Sequence, residues 1–476
     1  MSYIVPLGPY HPSLEEPIHV KLFTEGEIIK NSEVYIGYNH RGIEKLCEEK
    51  NHIQTITLVE RVCGICSHSH TLAYCLALEK ILDMKVPKRA DYIRVIICEL
   101  ERLHSHYLWL GLAAHIISFD SLFMMCFKTR ERIMDILEEV SGNRVNYAMN
   151  VIGGSRRDID KDKISNIKNM LEKVKEEHKK ITYIYSEDKV VSLRTKGVGI
   201  LTKDEAINYD ACGPHGRASG IYDDARIKDS YCSYEDFDFK EIVLQDGDVF
   251  SRVLLRILEI DESIKIIEQA LENLPDTEIN LGIKMRKIPK GEYMSRIEAP
   301  RGELTYYVVS NGGQTNGRVS IHVPTFKNAA TVPVMLKENT ISEAGLIVAS
   351  IDPCFSCLDR WKFMHELSVT KSILNICKEQ AKIRSFKKIK KINLCVGEIT
   401  GLVPNCIDYY FNIISKGTIA EGALINIDKI KLRIKCLECN YEGEMDKNDY
   451  VCPSCSGINF NILNGNEFYL ESIEVD

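Results

Sequence analysis

The chain has 476 residues, enough for roughly two to four domains, each with its own buried core. Its 45% hydrophobic and 27% charged residues exclude a disordered or fibrous chain, and 61 basic against 68 acidic side chains exclude broad electrostatic capture of nucleic acid. The 17 cysteines are the specific feature. Random placement gives about 0.6 C-x-x-C pairs. The chain has four: Cys63/Cys66, Cys354/Cys357, Cys436/Cys439 and Cys452/Cys455.

The N-terminus, Met1-Ser-Tyr-Ile-Val-Pro-Leu-Gly-Pro9, has no basic stretch leading into an apolar run. No secretory signal is expected, and the paired thiols read as metal ligands rather than disulfides. Short strand-like runs lie near 19–23 and 34–38. Beyond residue 70 the pattern turns helical, with apolar residues three and four apart over 90–112, 127–139, 164–181 and 250–274. The most apolar segment, 107–127, holds His115, Ser118, Asp120 and Ser121, which argues for a buried helix rather than a membrane span. Further strand-like runs cover 305–309 and 319–323. No Walker A loop or G-x-G-x-x-G is present, so no nucleotide site is readable. From Met364 the texture changes. Leu367, Ile373, Leu374, Cys377 and Ala381 fall at helical spacing; Ile392, Leu394 and Val396 then alternate, as do Ile425 with Ile427 and Ile430 with Leu432 and Ile434. The lysine-rich run 387–391 reads as a solvated turn. This tail is a compact α+β unit with a cysteine-rich insert, and its 14 basic and 15 acidic residues form no basic field.

Cys436-x2-Cys439-x12-Cys452-x2-Cys455 has the spacing of two knuckles closing one tetrahedral, structural zinc site, with an Fe–S or redox pair as the alternative. The other two pairs lie 288 residues apart, so only the fold can join them. Gly64 lets the backbone pass close to an ion, and Pro353 fixes a backbone angle just before Cys354. Taken alone, those four thiolates suit zinc or an Fe–S cluster. The remaining nine cysteines read as small buried hydrophobes.

The flanking residues carry a resemblance. Glu60-Arg-Val-Cys63-Gly-Ile-Cys66-Ser-His-Ser-His70 and Asp352-Pro-Cys354-Phe-Ser-Cys357-Leu-Asp-Arg360 are similar to motifs of the large catalytic subunit of nickel–iron hydrogenases. Gly8-Pro-Tyr-His-Pro12, His40-Arg-Gly-Ile-Glu44, Gly213-Pro214, Arg217-Ala-Ser-Gly220 and Glu298-Ala-Pro-Arg301-Gly-Glu303 extend the likeness over 6–360. The group it resembles is the energy-converting, complex I-related one; the quinone-binding subunit of complex I shares the fold but characteristically lacks the nickel cysteines. The resemblance implies Cys63 and Cys354 as terminal nickel ligands, and Cys66 and Cys357 as bridges between nickel and an iron carrying CO and cyanide. It implies Arg301 over the open metal position as a fixed positive charge, with a surface salt bridge as the plain alternative. Thr325 would donate to an iron cyanide, while His70 and Asp352 support the ligands from behind. A terminal thiolate such as Cys354 would take the proton as H2 splits. Glu16, with Glu15 as fallback, would receive it; a solvated acidic pair is the plain alternative. Glu44 matches a magnesium-binding glutamate whose histidine partner is here Arg360, so the magnesium site departs from the pattern.

From Met364 onward the chain resembles HypA, the nickel-delivery protein of hydrogenase maturation, through Met364-His365-Glu366, Val396-Gly-Glu-Ile399, Gly417-Thr, Ala420-Glu-Gly-Ala423 and the four-cysteine loop. The resemblance implies nickel held by His365, Glu366 and the chain's own amine. Here the nitrogen of Met364 is an amide, so the tail either delivers nickel in cis through a weakened site or is freed by cleavage after Arg360. The expected protein is α+β: a mainly helical domain of the hydrogenase large-subunit type, 1–361, and a HypA-like domain, 364–476, with a zinc loop at 436–455. The expected partners are an Fe–S small subunit, the membrane subunits of an energy-converting complex and a HypB-type GTPase, without nucleic acid, at the cytoplasmic face of the membrane. Two other readings are a maturation-only metallochaperone and a complex I-type scaffold for NADH–quinone chemistry.

Overall fold

A 29-residue helix, Lys88–Ile116, runs through the first unit with 22 of its residues buried. Pro87 stands at its N-cap in extended backbone, where a missing N–H costs nothing. Because the helix is enclosed on nearly every side, its charged residues must find partners inside. Arg94 pairs with Glu79 at 2.7 Å, Arg102 with Glu99 at 3.1 Å and His106 with Glu259 at 2.9 Å. The helices Asp120–Ser141 and Val249–Glu272 pack along it. The apolar segment 107–127, expected as one buried helix, is two. The chain turns at Ser118, whose φ is 63°, and His115 and Asp120 pair at 2.9 Å in solvent at that corner. Among the described residues no helix is long and apolar enough to cross a membrane.

The computed structural model describes residues 2–11, 14, 16–283, 287–359, 364–384, 386–397, 407, 411, 415–445, 451–455, 457, 459–465 and 467–475. It divides into two units, Met1–Lys362 and Phe363–Asp476. The first unit holds two antiparallel three-stranded sheets. One comprises Ser2–Leu7, His19–Glu25 and Ile28–Tyr35; the other comprises Lys290–Ala299, Gly302–Asn311 and Asn316–His322. The strand expected at 34–38 ends earlier, at Tyr35, because the chain leaves the sheet for the loop before the helix Ile43–Glu49. In the second sheet Ala299 pairs directly with Gly302, so Pro300 and Arg301 form the tip of a hairpin. Gly302, at φ 127°, lies against Gly213, at φ 63°; a Cβ on Gly213 would come within 2.3 Å of the Gly302 Cα. Only glycine lets these two loops approach so closely.

In the second unit, Ile389–Gly397 is the middle strand of a mixed sheet, parallel to Leu424–Ile430 and antiparallel to Phe468–Val475. The helix Met364–Arg384 precedes it, and Ile373, Leu374 and Cys377 share a core with Ile389, Ile392, Leu394 and Val396. The run 387–391 is not only a turn: Ile389 is buried and starts the strand, while Lys387 and Lys388 stay exposed. A second small sheet sets Arg433–Cys436 between Glu442–Glu444 and Phe460–Asn464.

Candidate metal centre

The helix His52–Glu60 ends just before Cys63, and Cys66 caps the next helix, Ser67–Ile81. Cys354 caps the short helix Phe355–Leu358, which carries Cys357. These two turns bring four sulfurs together. Cys63 Sγ lies 3.4 Å from Cys354 Sγ, Cys66 Sγ 3.5 Å from Cys357 Sγ, and Cys354 Sγ 2.8 Å from Cys357 Sγ. None of the four is in a disulfide, and each is at most 5% exposed. Hydrogen bonds from the thiols of Cys354, Cys357 and Cys66 hold Cys63 well below the ordinary thiol range, whereas burial pushes Cys357 well above it. One sulfur ionises at its neighbours' expense. A soft divalent cation would relieve that conflict by stabilising every thiolate at once, so the donor set fits nickel.

The surroundings come from other parts of the chain. At its hairpin tip Arg301 donates from Nε to the Asp352 carbonyl at 2.9 Å, and its Nη2 lies 2.8 Å from the Asp352 carboxylate. Thr325 Oγ1 accepts the Cys354 N–H at 3.0 Å, leaving its own proton to donate. His70 Nε2 sits 3.4 Å from Cys357 Sγ, and its Nδ1 sits 2.7 Å from the Tyr306 hydroxyl. With Tyr306 donating to Nδ1, the imidazole keeps its proton on Nε2, facing the sulfur. Glu16 accepts both the N–H and the hydroxyl of Ser356 at 2.7 Å. Burial raises its pKa, against the hydrogen bonds from Ser356. A small, partly enclosed cavity lies among Cys66, His70, Arg301, Thr325, Cys354 and Cys357, walled by Ala299, Leu304, Val323 and Pro324.

The motifs left Tyr306 and Ser356 without roles. Ser356 was visible between the cysteines, but Tyr306 is 236 residues from His70 and had no signal of its own. The carboxylate of Glu44, whose match to a magnesium ligand already departs from the family pattern, accepts the Ile321 N–H at 3.0 Å and pairs with Arg318 at 3.2 Å. Glu15, Arg360 and the side chains of His365 and Glu366 lie outside the described residues.

In the second unit Cys436, Cys439, Cys452 and Cys455 all lie within 4.8 Å of one another, with Sγ–Sγ distances of 3.7 Å for Cys436–Cys455 and Cys439–Cys452. Asn440 takes φ 59°, the left-handed turn that closes the first knuckle. The Tyr441 backbone N–H draws the Cys439 thiol down to about 7. This closed set of four sulfurs fits a structural zinc.

Residues 41–115 match the family model for nickel-dependent hydrogenase, and residues 117–285 and 280–360 match that for the 49 Kd subunit of respiratory-chain NADH dehydrogenase. The chain is 39% identical to the alpha subunit of a membrane-bound hydrogenase of Pyrococcus furiosus, across 82% of this chain and 94% of that one. It belongs to the energy-converting nickel–iron hydrogenase large subunits. Carbon monoxide-induced hydrogenase of Rhodospirillum rubrum is 40% identical, across 75% of this chain and 99% of that one. The complex I side of the family is also near: an NADH-quinone oxidoreductase subunit of Clostridium beijerinckii is 38% identical across 74% of this chain and 96% of that one. A chain of the membrane-bound sulfane sulfur reductase, an archaeal respiratory membrane complex, matches with a TM-score of 0.72 at 29% identity, covering 75% of this chain and 98% of that one. Residues 364–475 match the model for hydrogenase/urease nickel incorporation metallochaperone, hypA. This hydrogenase large subunit therefore carries a HypA domain on the same chain.

Proposed function

We propose that the first unit is the catalytic subunit of an energy-converting hydrogenase, interconverting H2 with two protons and two electrons, and that the HypA unit supplies its nickel. The observation that carries this reading is the meeting, beside Arg301, of four buried thiols from cysteine pairs 288 residues apart. Cys63, Cys66, Cys354 and Cys357 would hold nickel, and Cys66 and Cys357 would share an iron bearing CO and cyanide. Those metals would supply the redox centre at which the H–H bond is broken or made.

The chain's own residues handle charge and protons. Arg301 cannot move its charge, because Asp352 grips it by carbonyl and carboxylate together, so it polarises H2 in the cavity. A sulfur of Cys354 or Cys63 takes the proton. Glu16 lies within electrostatic reach of Cys63, and burial lets it hold a proton above the ordinary carboxylate range before passing it outward. Electrons pass to an Fe–S small subunit, and membrane subunits hold the complex at the cytoplasmic face; the likeness to a membrane-bound hydrogenase supports the membrane partners. A HypB-type GTPase assists loading. Joined in cis, the HypA unit sees its client at about millimolar effective concentration if the geometry permits, through His365 and Glu366.

Replacing Cys66 with serine tests the reading. H2 oxidation and nickel content should both be lost. A parent chain that consumes no H2, with a variant that keeps redox activity toward quinone or NADH, would favour the complex I-type scaffold, to which the likeness to the Clostridium beijerinckii oxidoreductase points. Native mass spectrometry of the chain purified without oxygen should give one 54.2 kDa species with nickel, iron and zinc; two pieces parted near Arg360 would make the tail a cleaved maturation module.

A further inference from the structure

We infer that Arg41 is a positioning residue, a clamp that holds the two cysteine loops together as one four-thiol site. Its guanidinium donates from Nη1 to the Arg61 carbonyl at 3.0 Å and from Nη2 to the Val62 carbonyl at 2.7 Å, both on the turn leading into Cys63. The same Nη2 donates to the Ser356 carbonyl at 2.9 Å, between Cys354 and Cys357. One planar group thus joins backbone on both sides of the site. Two residues earlier, the Asn39 N–H donates to Asp359 Oδ2 at 2.8 Å, so the loop before Arg41 is tied to the second cysteine segment by its own backbone. Gly42, at φ 62° with open space at its Cβ position, then turns the chain into the helix Ile43–Glu49.

The geometry suits arginine alone. Its rigid fork of donors can serve three carbonyls from one plane, whereas a lysine ammonium is a point charge on a flexible stem. Arg41 is solvent-exposed while the sulfurs it gathers are buried, so it acts from outside the site and touches no sulfur. Without the clamp the loops keep the sulfur contacts, the His70–Cys357 contact at 3.4 Å and the Asn39–Asp359 bond, while the bonds to Glu16 and Thr325 reach the second loop only. This inference rests on the four thiols forming one site, as the proposed function requires.

The test is pulse alkylation with iodoacetamide on the full chain, produced without nickel and handled without oxygen, read peptide by peptide by mass spectrometry. In Arg41→Gln, labelling of Cys63, Cys66, Cys354 and Cys357 should accelerate about tenfold, with Arg41→Lys between it and the parent. Cys75, Cys126 and Cys212, buried in the core elsewhere, should label at the parent rate. Unchanged labelling of the four site cysteines would overturn the clamp. So would equal acceleration of the core cysteines, which would make Arg41 a residue of general stability. In the nickel-loaded chain, Arg41→Gln should lose nickel to a chelator about tenfold faster. If the parent chain never binds nickel but the selective labelling is seen, the clamp stands and the hydrogenase reading falls.

Discussion

Arg301 holds a single residue in two ways, by a hydrogen bond to the backbone carbonyl of Asp352 and an ion pair with its carboxylate. Asp352 can offer both to one side because its φ is 53°, a left-handed conformation that costs a non-glycine residue about 1 kcal/mol or more. Lysine cannot reproduce that two-point hold. Arg301→Lys should lower kcat for H2 oxidation by about 100- to 1000-fold at unchanged nickel content; nickel falling in step with activity would mean that Arg301 only supports the fold. Glu16→Gln keeps an acceptor for Ser356 but cannot carry a proton. Its kcat should drop by about 100-fold with nickel in place, and a parent-like kcat would route the proton elsewhere. At this scale the cysteines were legible from spacing alone, since C-x-x-C is a local pattern. The Tyr306 hydroxyl that orients His70 was not, because a strand tyrosine facing inward looks like any other core aromatic.

Helix Lys88–Ile116 places charge inside the core and balances it locally. The Glu99 carboxylate pairs with Arg102 at 3.1 Å and Arg226 at 3.2 Å, and accepts the hydroxyls of Tyr234 at 2.6 Å and Ser263 at 2.7 Å. Burial alone would push its pKa up, but the two guanidinia outweigh it and hold it at about 2, against an ordinary 4.5. A depressed carboxylate stabilises the fold above its unfolded pKa, and that stability is lost as pH falls through the folded value. Thermal stability of the chain should therefore drop between pH 4.5 and 2. Glu99→Gln should flatten that slope and cost about 3–5 kcal/mol at neutral pH; melting curves across the range decide it. Periodicity located this helix well, although its ends moved outward from 90–112 because Pro87 sets its start. The break at Ser118 escaped because its polar neighbours His115, Asp120 and Ser121 were read as polar groups within one buried helix rather than as a corner between two.

At the scale of the whole chain, the change of texture at Met364 was readable, and the division into Met1–Lys362 and Phe363–Asp476 lies beside it. The joining of the cysteine pairs was not readable from pattern, since pairing across 288 residues depends on the folded core. Among the described residues, the buried core of the second unit's small sheet is Leu432, Ile434, Cys436, Met445 and Cys452. Two of those five are cysteines of the four-sulfur set, so a strong zinc chelator should abolish amide-exchange protection over 432–464 while the Lys88–Ile116 helix keeps its own. Protection that survives chelation would remove zinc from the fold's support.

The distance between the cysteine pairs is also an interval of time. At about 5–20 residues per second, Cys354 emerges from the ribosome about 15–60 s after Cys66. Through that interval a passing ion meets two thiols, not four, and a two-sulfur site binds weakly and lets go. The complete pocket appears only when the first unit is nearly finished, and the HypA unit is translated after it. Synthesis order thus acts as a filter: the four-sulfur site is complete late, and the HypA unit is made later still.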